Sequence, residues 1–168
     1  MSKVLTAATA IVAGLRKLVA GLVVLFFGYM IIAVLVQIAG RYLFEFAIDW
    51  TAETATFAQI WMVLLAGGLA MRDNLHVSVD ALTSHLPTNV LRGMVVVVTL
   101  PCLWFLSQAI VGSLALIDIG RIQSSPVLRL PMWIPYLSLP VGLAYFGLEF
   151  ILAMVKRWQD PKAEGSAV

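Results

Sequence analysis

The chain has 168 residues, of which 61% are hydrophobic and 12% charged, whereas soluble globular proteins hold roughly 45–50% and about 25%. A soluble fold of this size could not bury so much apolar surface, so the composition predicts an integral membrane protein. The net charge of +2 argues against nucleic acid as a partner. A single cysteine, Cys102, excludes an intrachain disulfide framework and a metal site built on cysteines.

Four stretches are long and apolar enough to cross a bilayer core of roughly 30 Å, which takes about 20 helical residues. They lack the polar alternation of barrel strands, so helices are the predicted spanning elements. The predicted spans are residues 18–40, 52–71, 93–117 and 132–155. The sequence therefore predicts an all-α membrane protein, with one four-helix domain over residues 1–168.

The basic residues predict the orientation of these helices. An even number of crossings places both chain ends on one side of the membrane. Of the 11 lysines and arginines, all but Arg41, Arg121 and Arg129 then fall on the side of the termini. The positive-inside rule places both termini in the cytoplasm.

Two connections have helical periodicity of their own. In the first outer connection, Arg41, Glu45 and Asp49 are four residues apart, with aromatic and aliphatic side chains between them. This pattern predicts a short amphipathic helix in the membrane interface, with an outward extension of the first helix as the alternative. In the cytoplasmic connection, residues 78–87 predict a second short helix. Pro140 predicts a kink in the fourth span.

Small residues mark two faces on the predicted helices. Gly14, Gly21 and Gly28 recur at every seventh position along the first helix, and Gly67 and Gly68 are adjacent in the second. Small residues let helix backbones approach closely within lipid, so both patches are predicted to contact other helices. The alternative is that glycine is simply common in membrane helices.

Glu149 is the one acidic residue in the fourth span, about 9 Å from its cytoplasmic end. An unpaired carboxylate at that depth costs roughly 2–3 kcal/mol. Arg16 and Lys17 enter the membrane from the same side and are the predicted partners. A hydrated carboxylate and a role in coupled transport remain alternatives.

The spans lack a charged or broken-helix site at midplane, as a self-sufficient carrier of a charged solute would need. No catalytic triad, phosphate loop or carboxylate cluster is present, so the chain is not expected to be an enzyme. These observations favour a scaffold or accessory subunit. One alternative is a stand-alone homo-oligomeric carrier with Glu149 as its proton site. A redox subunit is disfavoured because His76 and His85 lie outside the spans.

An ordered set of residues carries a family resemblance. The first part reads Arg41-Tyr42-x-Phe44, Trp50-x-x-Glu53, Trp61, Gly67-Gly68, Arg72 and His76-Val77-x-Val79-Asp80; the second reads Ser125-Pro126-x-Leu128-x-Leu130-Pro131, Tyr136 and Pro140-x-Gly142. This set resembles the small membrane subunit (DctQ-like) of tripartite ATP-independent periplasmic, or TRAP, transporters. One position departs from the family, whose members often carry two acids after the tryptophan, because Ala52 occupies the first of them.

The resemblance implies a division of labour. A soluble periplasmic substrate-binding protein delivers an organic acid, and a large membrane subunit holds the substrate and sodium sites. The small subunit is then a scaffold for the large one and part of the docking surface for the soluble protein, in the cytoplasmic (inner) membrane of a bacterium or archaeon. No substrate site, metal or cofactor is expected in this chain.

At the outer face, the motif residues predict one specific contact. Arg41 leaves the first helix close to where Glu53 enters the second, so Arg41 is predicted to bond either Glu53 or backbone carbonyls of the outer segment. Trp50 is predicted to anchor this corner at the level of the lipid headgroups. The alternative is an exposed pair between Arg41 and Glu45, which are one helical turn apart.

Overall fold

A computed structural model describes residues 2–46, 48–72 and 87–159, with side chains described from residue 9 onward and not for Arg72. The described part is almost entirely helical. The elements are α1 (Ser2–Leu43), α2 (Asp49–Arg72), α3 (Thr88–Ile122), α4 (Trp133–Tyr136) and α5 (Ser138–Gln159). The four stretches long and apolar enough to cross a membrane are Thr9–Leu43, Asp49–Met71, Thr88–Ile122 and Trp133–Gln159. The predicted all-α class with four membrane helices is confirmed.

The four long helices form a row rather than a closed bundle. In the described part of the chain, α1 packs against α2, α2 against α5, and α5 against α3. The end helices α1 and α3 are the least covered: 11% and 6% of their most apolar windows are buried, against 28% for each of the two middle helices. In water such exposure would be prohibitive, whereas lipid or another membrane protein can cover it.

The tightest packing lies between α2 and α5, where glycines allow close approach. A Cβ atom at Gly68 would lie 2.5 Å from Cδ1 of Tyr145, and one at Gly142 would lie 2.6 Å from Cβ of Leu64. The buried side chains of Val19, Leu65 and Tyr145 meet at the same level, so α1, α2 and α5 share one core. The α2–α5 pair is therefore the spine of the row.

The described residues of the first outer connection, 44–46 and 48, contain no helix, so that part of the fold prediction is wrong, and the alternative, an outward extension of α1, holds only as far as Leu43. Helix α1 continues to Leu43 and α2 begins at Asp49. Between them Glu45 adopts a φ of +51°, and the Phe46 N–H donates to the Gly40 carbonyl at 3.0 Å. The chain must reverse within residues 44–48 to pack α2 against α1, which leaves no length for a helix in the membrane plane.

Two further expectations concern the remaining connections. The helix predicted for residues 78–87 falls almost wholly outside the described residues, and only its last residue, Pro87, is described, as the N-cap of α3. Pro140 has no N–H to donate to the Tyr136 carbonyl, so the predicted loss of a helical hydrogen bond occurs at the junction of α4 and α5. Leu137, between the two helices, keeps a helical backbone with φ −59° and ψ −24°, and its carbonyl accepts the Val141 N–H at 3.3 Å.

Candidate functional site

The Glu149 carboxylate is held by a bidentate ion pair with Arg16. The Arg16 Nε donates to Oε1 at 2.8 Å, and Nη2 donates to Oε2 at 2.6 Å. The Glu149 side chain is 1% exposed and that of Arg16 30%. The predicted partner Arg16 is therefore the one that binds, while Lys17 faces outward. With both oxygens bound by the guanidinium, the geometry favours the structural interpretation of Glu149 over a proton site.

Glu53 bonds to a different segment from the one predicted. Its Oε2 accepts the backbone N–H groups of Val127 at 3.2 Å and Leu128 at 2.9 Å, in the loop between α3 and α4. Arg41 is exposed at the end of α1 and makes no hydrogen bond or ion pair within residues 9–46, 48–71 and 87–159. The predicted contact of Arg41 with Glu53 or backbone carbonyls is wrong, and the alternative pair with Glu45 is equally absent there.

The physical reason is the direction in which Glu53 projects. It lies in the second turn of α2, which packs against α5 and also touches α4. The loop that precedes α4 is thereby brought over the outer end of α2, where its free N–H groups meet the carboxylate. The loop was part of the family resemblance, but local sequence carries no signal for a contact 74 positions away.

This outer loop, residues 123–132, is closed by its own hydrogen bonds. Ser125 donates its N–H to the Leu130 carbonyl at 2.8 Å and accepts the Leu130 N–H on its hydroxyl at 3.1 Å. The Met132 N–H donates to the Gln123 carbonyl at 3.0 Å. Ser125 is 2% exposed, and Arg129 adopts a φ of +53°. The loop is thus a compact turn with defined ends, and Glu53 binds its tip.

The tryptophans of the motif lie in two environments. Trp50 is 48% exposed in the first turn of α2, and its position at headgroup level stays a prediction. Trp61 is partly buried and stacks on Phe26 of α1, with ring centroids 6.3 Å apart and an interplanar angle of 27°. The side chain of Arg72 and all of His76 lie outside the described residues.

The two glycine patches also differ. Gly68 is buried against Tyr145, and a Cβ at Gly67 would lie 3.8 Å from Phe146, so this patch contacts α5 as predicted. At Gly14, Gly21 and Gly28 nothing in the described chain lies within 4 Å of a Cβ.

The open patch on α1 points away from the rest of the row. Gly21 lies two residues after Val19, and Gly28 lies two residues after Phe26. Val19 and Phe26 pack toward α2 and α5. Two residues correspond to about 160° around a helix. The Gly14, Gly21 and Gly28 face, called the α1 glycine face below, is therefore the outer edge of the row.

A contact between the start of α3 and the end of α5 had no clear signal in the sequence. The Arg92 guanidinium lies over the Trp158 ring, 5.7 Å from its centroid, and joins the start of α3 to the end of α5. The only indication of this contact in the sequence is that both residues flank predicted spans on the side of the chain termini. The contact holds α3 and α5 together at the point where both helices leave the apolar core.

The grooves along the row are apolar. One, of about 450 Å³, lies between α3 and α5 beside Leu106 and Leu148; another, of about 440 Å³, lies between α1 and α2 beside Phe27 and Val63. Among the side chains described, no three His, Cys, Asp or Glu residues come together as a metal site would require. The two grooves are suited to packing against other apolar surfaces.

Comparison with known proteins identifies relatives of the chain. Residues 30–160 match the family model described as the DctQ component of tripartite ATP-independent periplasmic transporters. The chain is 26% identical over 154 residues to the C4-dicarboxylate TRAP transporter small permease protein DctQ of Vibrio cholerae, covering 77% of this chain and 66% of that protein. It is 35% identical over 138 residues to the isethionate TRAP transporter permease protein DctMQ of Oleidesulfovibrio alaskensis, covering 80% of this chain and 22% of that protein. The chain thus spans slightly less than two thirds of the first relative and about a fifth of the second.

Proposed function

The chain belongs to the DctQ component family of TRAP transporters, and we propose that it acts as a scaffold subunit in a sodium-coupled, binding-protein-dependent carrier of organic acids in the cytoplasmic (inner) membrane. On this proposal the substrate and sodium sites lie in a large membrane subunit. The chain supports that subunit and contributes to the outer surface on which the soluble periplasmic component docks.

The observation that carries the proposal is the open row of helices. A carrier must enclose its solute, yet α1 and α3 each leave most of their apolar surface uncovered in the described structure. The α1 glycine face would let a partner backbone approach closely, because nothing in the described chain occupies the space beside it. A row with two open edges and apolar grooves is suited to lie against a larger membrane protein.

The relatives support the same division of labour. The chain matches 22% of the DctMQ permease, so most of that permease lies outside the match. We propose that a corresponding large subunit, in the same or a separate polypeptide, works with this chain. The names of the relatives mention C4-dicarboxylate and isethionate. Both are small organic anions, and we propose a substrate of this class.

The alternative of a stand-alone carrier needs Glu149 to exchange protons. A glutamate that releases protons to a pathway needs access to water, and this side chain is 1% exposed and bound at both oxygens by Arg16. The geometry therefore supports the accessory role.

Uptake in proteoliposomes tests the proposal. We expect the chain alone to give no uptake of a C4-dicarboxylate or isethionate under a sodium gradient, even with the soluble component present. Adding the large subunit should produce sodium-dependent uptake, and the large subunit without this chain should lose most of it. Uptake by this chain alone, abolished by Glu149→Gln, would establish the stand-alone carrier instead.

A further inference from the structure

We propose that Glu53 is a positioning residue, which holds the outer turn Pro126–Arg129 in one conformation and so presents Arg129 to the soluble periplasmic component. The inference rests on the proposed function and names the residues through which this chain takes part in docking. It is carried by the hydrogen bonds of Glu53, the backbone of Arg129 and the exposure of the turn.

The first step concerns what Glu53 supplies to the loop. The hydrogen bonds of Ser125, Leu130 and Met132 close the base of the loop. They leave the N–H groups of Val127 and Leu128, at its tip, without an acceptor in the loop itself. Two consecutive N–H groups that point the same way form a small anion site. The Glu53 carboxylate fills it from α2 at 3.2 and 2.9 Å. The tip is therefore tied to a helix of the spine, not only to its own base.

The second step concerns Arg129, which follows the tip directly. Its φ of +53° is a backbone conformation that side chains other than glycine, asparagine and aspartate seldom adopt. Arg129 is exposed and has no hydrogen-bond or ion-pair partner among the residues described. The bonds of Glu53 hold the backbone directly before Arg129, so they set the position from which its side chain projects.

The third step concerns the exposure of the turn and of the end of α3. Helix α3 ends at Ile122, whose side chain is 90% exposed, and Val127 in the turn is 48% exposed. Arg129 is exposed as well. The Glu53-bound turn thus offers side chains that a partner can contact.

The fourth step concerns the chemistry of the partner. Arg121 lies at the end of α3, just before the loop, and its contact with Asp118 is long, at 3.9 Å between Nη1 and Oδ1, with both side chains mostly exposed. The exposed guanidinium groups of Arg121 and Arg129 fit a soluble protein that offers carboxylates. Planar guanidinium groups bind carboxylates through two parallel hydrogen bonds, which would give the docking a fixed orientation.

The test uses the assembled membrane complex and has two readouts. Amide hydrogen exchange at Val127 and Leu128 reports the tether, and the dissociation constant of the soluble component reports docking. Glu53→Ala should speed exchange at both amides by about tenfold or more and weaken docking by a similar factor. Glu53→Gln keeps one acceptor oxygen and should fall between the wild type and Glu53→Ala. Asp49→Ala, which removes an exposed acid from the first turn of α2, is the matched control and should change neither readout.

A second pair of variants separates the side chain from the backbone. Arg129→Gly fits the positive φ and removes the side chain with its guanidinium, so it should weaken docking by about tenfold while leaving the amide exchange unchanged. Glu45→Gly is its matched control, because Glu45 is also exposed on the outer face with a φ of +51°. It should leave docking as in the wild type.

The outcomes distinguish this inference from the proposed function. If the chain does not assemble with a large subunit, the proposed function fails. If the complex assembles and transports but Glu53→Ala and Arg129→Gly bind the soluble component like the wild type, the positioning role of Glu53 is refuted. The same holds if Arg129→Gly reduces only the affinity of the complex for anionic lipid vesicles, since the guanidinium would then serve the membrane surface.

Discussion

Arg16 of α1 and Glu149 of α5 lie 133 positions apart in the sequence and form a bidentate ion pair with N–O distances of 2.8 and 2.6 Å. Arg16 and Glu149 lie about one helical turn from Val19 and Tyr145, which belong to the core shared by α1, α2 and α5. The ion pair therefore ties the end helix α1 to the α2–α5 spine and sets the direction in which the α1 glycine face points.

The first prediction concerns this pair. Arg16→Met leaves a nearly fully buried carboxylate without its guanidinium and should lower the free energy of unfolding by about 3–5 kcal/mol. The double variant Arg16→Met with Glu149→Leu removes both charges and should recover most of that loss. Lys17→Met, at the exposed neighbouring position, is the control and should stay within about 0.5 kcal/mol of the wild type. The measurement is unfolding of the purified chain in mild detergent, and equal, additive losses would contradict the coupling.

The second prediction compares the two glycine patches. Gly68→Leu places a side chain where a Cβ alone would lie 2.5 Å from Tyr145, so the chain itself should unfold at a markedly lower temperature. Gly21→Leu meets open space and should leave the isolated chain as stable as the wild type, while weakening its assembly with the large subunit.

Gly112→Leu is the control for these two variants, because Gly112 also has open space beside it but lies on α3, away from the α1 glycine face. Thermal unfolding of the chain and co-purification of the complex separate the effects. A Gly21→Leu variant that assembles as fully as Gly112→Leu would show that lipid, not a partner, covers the α1 glycine face.

The third prediction concerns Arg41 and Glu53, which lie near each other in the sequence motif but do not bond. Arg41→Ala should change the stability of the chain by less than about 0.5 kcal/mol, because no described partner is lost. Glu53→Ala should destabilise the chain measurably more than Arg41→Ala, since two loop amides lose a charged acceptor. A double-mutant cycle should give a coupling energy near zero. A coupling above about 1 kcal/mol would instead reveal a contact between the two side chains.

The fourth prediction concerns the cation–π contact at the cytoplasmic end. Trp158→Leu keeps an apolar side chain but removes the ring over which Arg92 lies, so it should lower the free energy of unfolding by about 0.5–1 kcal/mol. In the wild-type background, Arg92→Lys should retain part of the stabilisation by this contact, and Arg92→Gln should retain none of it. Equal stability of the lysine and glutamine variants would show that the contact makes no net contribution.

The sequence by itself determined the class of the protein, its four membrane helices and the need of Glu149 for a partner. These properties follow from quantities that are local in the chain. Hydrophobicity accumulates residue by residue over about 20 positions, and a buried carboxylate is costly wherever it lies. Arg16 could be named as a partner because only two basic residues, Arg16 and Lys17, directly precede the first span.

The tertiary structure alone decided which residues Glu53 holds and which glycines touch another helix. Gly21 and Gly68 carry the same local signal, yet Tyr145 lies against one and nothing described lies against the other. Likewise Glu53 is twelve residues from Arg41 but bonds Val127 and Leu128, because the packing of α2 against α5 and α4 carries the outer loop over the end of α2. Such contacts depend on the order in which helices pack, and in lipid, where every face is apolar, the hydrophobic pattern does not encode that order.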